Sequence, residues 1–108
     1  MTGVQTCALP IFLGECVRRN ITLPGIFGVF YYRSPNRKTL ETLSRFLPVP
    51  VDALAAEFAA GSTAIDICAR TIREMRRLGV RHFYISNLPV TGTAATLEQI
   101  LARAAAEA

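Results

Sequence analysis

The sequence predicts an α/β fold built on a parallel sheet. Two apolar segments rich in β-branched and aromatic residues alternate with amphipathic helical patterns, which is the order of βα units. The first segment is apolar without alternation, as is typical of a strand inside a parallel sheet. Hydrophobic residues make up 51% of the 108 residues and charged residues 19%, which excludes a disordered chain.

The first eleven residues, MTGVQTCALPI, have neither a helical nor a strand period. One allowed back-translation of this segment resembles a common sequencing adapter read from a GTG start. We therefore expect residues 1–11 to be adapter-derived and to make few contacts or lack regular structure. A signal peptide is the alternative, but a basic amino-terminal region and a long apolar core are missing. On this interpretation residues 12–108 are the carboxyl-terminal part of a longer protein.

The elements follow in order from residue 12. A short helical pattern covers residues 12–19, and a strand is predicted over about 26–31, after Pro24. Ser34-Pro35-Asn36 is typical of a turn. The next helix is expected from Pro35 or Asn36 to Leu47, before Pro48. Its apolar face is formed by Leu40, Leu43, Phe46 and Leu47.

Three more helices and one strand complete the chain. A helix over 53–60 is expected to start at an Asp52 N-cap. The next, over about 64–78, is capped by Ser62 or Thr63 and followed by Gly79. A strand over 80–86 leads to a final helix over 93–108, with an inward face formed by Leu97, Ile100, Leu101 and Ala104. Two such apolar strands cannot bury both faces by themselves, so the sequence predicts further strands beside them.

Several site chemistries are disfavoured by the sequence. Three cysteines without metal-ligand spacing support neither a zinc site nor a disulfide framework. No apolar run has the roughly 20 residues of a membrane-spanning helix, so no membrane partner is expected. His82, the only histidine, lies early in its strand and is interpreted as a structural residue. The arginines of the 64–78 helix are interpreted as a solvated face, and a nucleic-acid partner is not favoured.

Candidate ligand-binding residues follow the two strands. The carboxyl ends of parallel strands gather ligands in barrels and in open sheets. These positions hold Tyr31 and Tyr32 after the first strand, and Tyr84, Ser86 and Asn87 at the end of the second. Aromatic rings there can stack on a flat heterocycle, and the Asn87 amide both donates and accepts hydrogen bonds. The alternative is that the tyrosines only fill the core beneath a helix.

Two spaced motifs resemble the end of the methylenetetrahydrofolate reductase family. Pro24-Gly25-Ile26 matches a strand motif of that family, and Val49-Pro50 matches an element of the helices that follow it. Gly79-Val80, continued by His82-Phe83-Tyr84 and Asn87, matches its last strand. The resemblance covers residues 12 to about 102.

The resemblance implies a TIM, or (β/α)8, barrel of which this chain is the carboxyl-terminal fragment, with its two strands as the seventh and eighth. It also implies a cytoplasmic enzyme with non-covalent FAD, which passes hydride from NAD(P)H to the folate substrate 5,10-methylenetetrahydrofolate and yields 5-methyltetrahydrofolate. Tyr31 or Tyr32 would then contact folate or nicotinamide against the flavin, and Tyr84 would lie near the flavin. The choice between NADH and NADPH stays open, as does the oligomeric state, a homo-oligomer included.

The sequence departs from the family pattern at two places. Ser86-Asn87-Leu88 stands where the family usually has Leu-Asn-Arg, so the arginine near the substrate is missing. Phe27-Gly28-Val29 replaces the family's usual Leu-Pro-Ile. These departures leave the substrate open and indicate a divergent branch, whose catalytic acid would lie on earlier strands. The alternative function is a small α/β binding module whose basic helix contacts nucleic acid or another acidic partner.

Overall fold

The structure, a computed structural model, describes residues 4–106, with side chains from residue 9 onward. The helices and strands of this range follow in the order α1 (Val4–Arg18), β1 (Ile26–Phe30), α2 (Arg37–Leu43), α3 (Val51–Ala59), α4 (Ala64–Arg77), β2 (His82–Ser86) and α5 (Thr93–Ala106). This order confirms the α/β class.

β1 and β2 are adjacent and parallel. Ile26 lies opposite His82, and Phe30 lies opposite Ser86. The predicted pairing of residues 26–31 with 80–86 is therefore confirmed. Parallel neighbours require a crossover connection, which α2, α3 and α4 supply here. As a result, the carboxyl ends of both strands lie at the same edge of the sheet.

The main hydrophobic core lies on one face of this sheet. Val29 of β1 belongs to one cluster with Ile72 of α4 and Ile100 of α5, and none of the three is more than 2% exposed. Burial of an aliphatic side chain of this size contributes about 1.5–3 kcal/mol to stability. A smaller cluster joins α2, α3 and α4 through Leu40, Leu54 and Ile67. The crossover helices are thus attached to the sheet through α4.

The opposite face of the sheet is largely open among the described residues. Ile26 is 68% exposed and Tyr84 is 59% exposed. The uninterrupted apolar segment predicts a strand that is buried on both faces, and residues 4–106 bury only one of them. The helices that form the main core pack on the sheet face that carries Val29, and the face that carries Tyr84 is left exposed to solvent.

The amino-terminal segment differs from its prediction. α1 begins at Val4 and continues to Arg18, so Val4–Ile11 do not lack regular structure. Leu9 is buried in the main core, and Leu13, one helical turn later, packs against the same cluster. Two leucines four residues apart share a helix face. This shared face explains why the helical pattern predicted over residues 12–19 extends back into the first eleven residues. Ile11 is exposed, and residues 1–3 lie outside the described range.

Local sequence signals placed one helix start correctly and misplaced another. Thr63, one of the two predicted caps, is the N-cap of α4, and it forms a reciprocal capping box with Asp66. α3 starts at Val51, two residues earlier than predicted, so Asp52 lies in its first turn and Pro50 is the N-cap. The Asp52 carboxylate pairs with Arg37 of α2 instead of capping the helix.

Two predicted inward faces also need correction. Phe46 is 80% exposed. α2 ends at Leu43, so Phe46 lies outside the helix that would have placed it on the same face as Leu43. Leu101 is 44% exposed although it follows the fully buried Ile100. α5 packs mainly on α4, so the inward face of α5 is narrower than its apolar stripe.

Candidate functional site

The residues at the carboxyl-terminal edge of the sheet are held together by hydrogen bonds. The Tyr31 backbone N–H donates to the Ser86 carbonyl oxygen at 2.9 Å, which extends the ladder one residue beyond β1. The Asn87 side-chain Nδ2 donates to the Tyr31 carbonyl oxygen at 3.0 Å. Asn87 has a φ of 72°, a left-handed conformation that asparagine tolerates better than most residues. The structure therefore brings together three of the five predicted site residues through their backbones and one amide.

Tyr31 turns its ring away from the open face. Tyr31 is 6% exposed and lies in the main core with Val29 and Cys68. Burial raises the pKa of the Tyr31 phenol, and the nearby Cys68 thiol raises it further. Of the two interpretations offered for this tyrosine, its position matches the core-filling one.

Tyr84 presents its ring on the open face of the sheet. The ring lies against Gly28 of β1, where a Cβ would be 2.6 Å from both Cζ and the phenolic oxygen of Tyr84. A side chain at position 28 would therefore displace the ring. Since 59% of Tyr84 stays exposed, Gly28 and Tyr84 together form an accessible aromatic surface on the strand pair.

Tyr32 lies next to this surface, but its ring packs against residues of α2 and α3. Its ring is tilted by 57° against Phe30, with the ring centroids 5.0 Å apart. It is half-buried against the cluster of Leu40 and Leu54, and this burial raises the pKa of its phenol. Arg33, the next residue, is exposed and has no ion-pair partner within the described part of the chain. The sequence pattern by itself assigns no role to this cation.

His82 lies at the other, amino-terminal edge of the sheet and is exposed. This position is opposite to Asn87, so the histidine does not join the candidate site. An open cavity of about 560 Å³ lies at this edge, between α1 and the start of the strands, and His82 and Cys16 line it. Its walls combine residues that are far apart in sequence, so sequence periodicity gave no signal for it.

The basic residues around α4 divide into two groups. Arg70 pairs with Glu57 of α3, and Arg103 of α5 pairs with Asp66 of α4. Arg73 donates a hydrogen bond to the Arg103 carbonyl oxygen at 3.2 Å. These contacts join α4 to its neighbours. The other arginines within α4 or shortly after it are exposed: Arg76, Arg77 and Arg81.

No family model, curated protein or solved structure matches the chain. Among residues 4–106, none of the helices has both the length and the apolarity needed to cross a bilayer.

Proposed function

We propose that residues 12–108 are the last two βα units of a cytoplasmic, flavin-dependent (β/α)8 barrel of the methylenetetrahydrofolate reductase type. The observation that best supports this proposal is the one-sided sheet. A barrel strand carries helices on one face and lines the interior with the other. β1 and β2 have helices on the side of Val29, and the side of Tyr84 is left for an interior.

The position of the aromatic surface agrees with a ligand at the carboxyl-terminal end of such a barrel. Tyr84 and Tyr32 lie on or beside the open face, close to the edge where Asn87 ties the two strands together. Active sites of this fold lie at that end of the strands. Tyr84 would therefore contact the flat ring system of FAD, and Tyr32 the folate substrate or the nicotinamide of NAD(P)H.

The residues present fit part of a flavin site. The space above Gly28, which a Cβ would fill, lets the Tyr84 ring lie close to the strand and leaves its outer side open for stacking. Arg33 would supply a positive charge toward a phosphate or carboxylate group at the same edge. When bound, FAD supplies the group that accepts and returns hydride. This chain's own contribution is to orient the ring system and exclude water from one side of it, and Ser86 and Asn87 fix the backbone there.

The proposal is tested by restoring the rest of the barrel. Residues 12–108 would be joined to the first six βα units of a methylenetetrahydrofolate reductase, and flavin absorbance would be measured after desalting. We expect near-stoichiometric flavin in the fusion and none in the 108-residue chain. Oxidation of NADH and NADPH with the folate acceptor then identifies the donor.

Tyr84→Ala in the fusion is expected to weaken flavin binding by roughly 2- to 10-fold, the range of one aromatic stacking contact. Phe46→Ala is the matched control, since it removes an exposed aromatic ring outside the sheet. A folded fusion without flavin would overturn the flavin assignment. Stoichiometric flavin in the isolated chain would overturn the barrel-fragment interpretation.

A further inference from the structure

The cavity at the amino-terminal edge of the sheet has the size of a small-molecule site. Its volume of about 560 Å³ lies within the range of roughly 300–1,000 Å³ usual for ligand pockets. Phe12 of α1 and Phe27 of β1 form one wall, with their rings edge to face and the centroids 6.1 Å apart. Leu78, which follows α4, also lines the cavity. The cavity thus bridges three elements and is separate from the edge that holds Asn87.

The lining is apolar and accessible to solvent. Phe12 is 54% exposed, and Val17 and Leu23 are more exposed still. Clustered exposed apolar residues of this kind mark a binding surface more often than scattered ones do. A concave, accessible and aliphatic-aromatic lining suits a flexible hydrocarbon chain better than a polar metabolite.

A positive charge lines the same cavity. Arg81 is one of its lining residues and is exposed. Arg81 has no ion-pair partner within residues 4–106, whereas the carboxylate of Glu15 on α1 is engaged by Arg18 and Arg19. An apolar ligand with an anionic end therefore meets a cation that the described residues do not neutralise.

We propose that this cavity binds a medium-chain aliphatic carboxylate, with the hydrocarbon between α1 and β1 and the carboxylate at Arg81. Arginine matches a carboxylate through paired N–H donors, which gives the charged end a defined place. The site is independent of the flavin proposal, because it lies at the opposite end of the strands.

Cys16 provides a direct readout, since its half-buried thiol lines the cavity. In a Cys7→Ser background, the rate of Cys16 alkylation by iodoacetamide would be followed by mass spectrometry at increasing decanoate. We expect decanoate to slow alkylation at least 5-fold at saturation, below the concentration at which it forms micelles. Decanol, which has the same chain without the charge, is expected to protect only at higher concentration.

Two arginine variants separate the specific site from general charge. Arg81→Ala is expected to raise the decanoate concentration for half-protection about 2- to 5-fold, the range for an exposed ion pair. Arg77→Ala removes the same charge from an exposed position outside the cavity and is expected to change nothing. Thermal unfolding of both variants checks that the fold is kept.

Three results would overturn the proposal. One is an absence of protection by decanoate, and another is equal protection by decanoate and decanol. The third is a dimer, seen by light scattering, that buries Cys16 and that decanoate neither dissociates nor competes with, because a second copy of the chain would then occupy the apolar lining.

Discussion

The Asn87 amide donates a 3.0 Å hydrogen bond to the carbonyl oxygen of Tyr31, a residue 56 positions earlier in the chain. This bond closes the carboxyl-terminal edge of the two-stranded sheet, one position beyond the Phe30–Ser86 pair. Asn87 makes it from a left-handed backbone conformation. One side chain thus serves both the turn after β2 and the alignment of β1.

Asn87→Ala is expected to lower the free energy of unfolding by about 2 kcal/mol, since it removes the hydrogen bond and leaves a Cβ at positive φ without compensation. Asn87→Gly keeps the backbone relaxed and should be about 1 kcal/mol less damaging. Urea unfolding of both variants measures the difference. Asn20→Ala is the control, because Asn20 also has a positive φ, 57°, but is exposed at the end of α1. Equal stability of the Ala and Gly variants at position 87 would show that the backbone conformation carries no cost.

Gly28→Ala is expected to have opposite effects in two backgrounds. With Tyr84 present, the new Cβ would lie 2.6 Å from the ring, which must swing away, so stability should fall. In a Tyr84→Ala background the space is free, and alanine should stabilise the strand relative to glycine by about 0.5–1 kcal/mol. A double-mutant cycle by urea unfolding measures this coupling. Additive effects would show that the ring does not rest on position 28 in solution.

Stability is expected to fall between about pH 9 and pH 11 because of Cys68. Burial raises the pKa of this thiol from 9.0 to about 11. Between these values the unfolded chain loses the thiol proton and the folded chain keeps it, so rising pH favours unfolding, by at most about 2–3 kcal/mol. Below pH 9 the contribution is fully present. Cys68→Ala should flatten the slope of unfolding free energy against pH in this window. An unchanged slope would show that the loss of stability comes from other groups, such as the buried Tyr31.

Leu40→Ala and Phe46→Ala should differ strongly although both residues belong to one predicted apolar face. Leu40 is fully buried between α2 and α3, so its truncation leaves a cavity and is expected to cost about 2–5 kcal/mol. Phe46 is 80% exposed, and its truncation should stay within about 0.5 kcal/mol. Thermal and urea unfolding of the two variants tests this contrast. A large loss for Phe46→Ala would indicate that the ring packs against another surface in solution.

The sequence by itself determined the element types and the strand pairing. Apolar β-branched segments and helical periods predict β1, α4, β2 and α5, since local spacing alone decides which face of an element is apolar. The capping signal of Ser62 or Thr63 is equally local, and it placed the start of α4 correctly, at the Thr63 cap. The parallel arrangement also follows, because helices between two strands require a crossover. The family resemblance and the functions it implies stay predictions.

Only the tertiary structure decided which of the candidate residues are accessible. Tyr31 and Tyr32 are neighbours in sequence, yet one ring enters the main core and the other lies beside the open face, because successive side chains of a strand point to opposite faces. The approach of Tyr84 to Gly28 and the pairing of Arg103 with Asp66 join residues 56 and 37 positions apart. Such contacts depend on how the elements pack, and no local pattern encodes that packing.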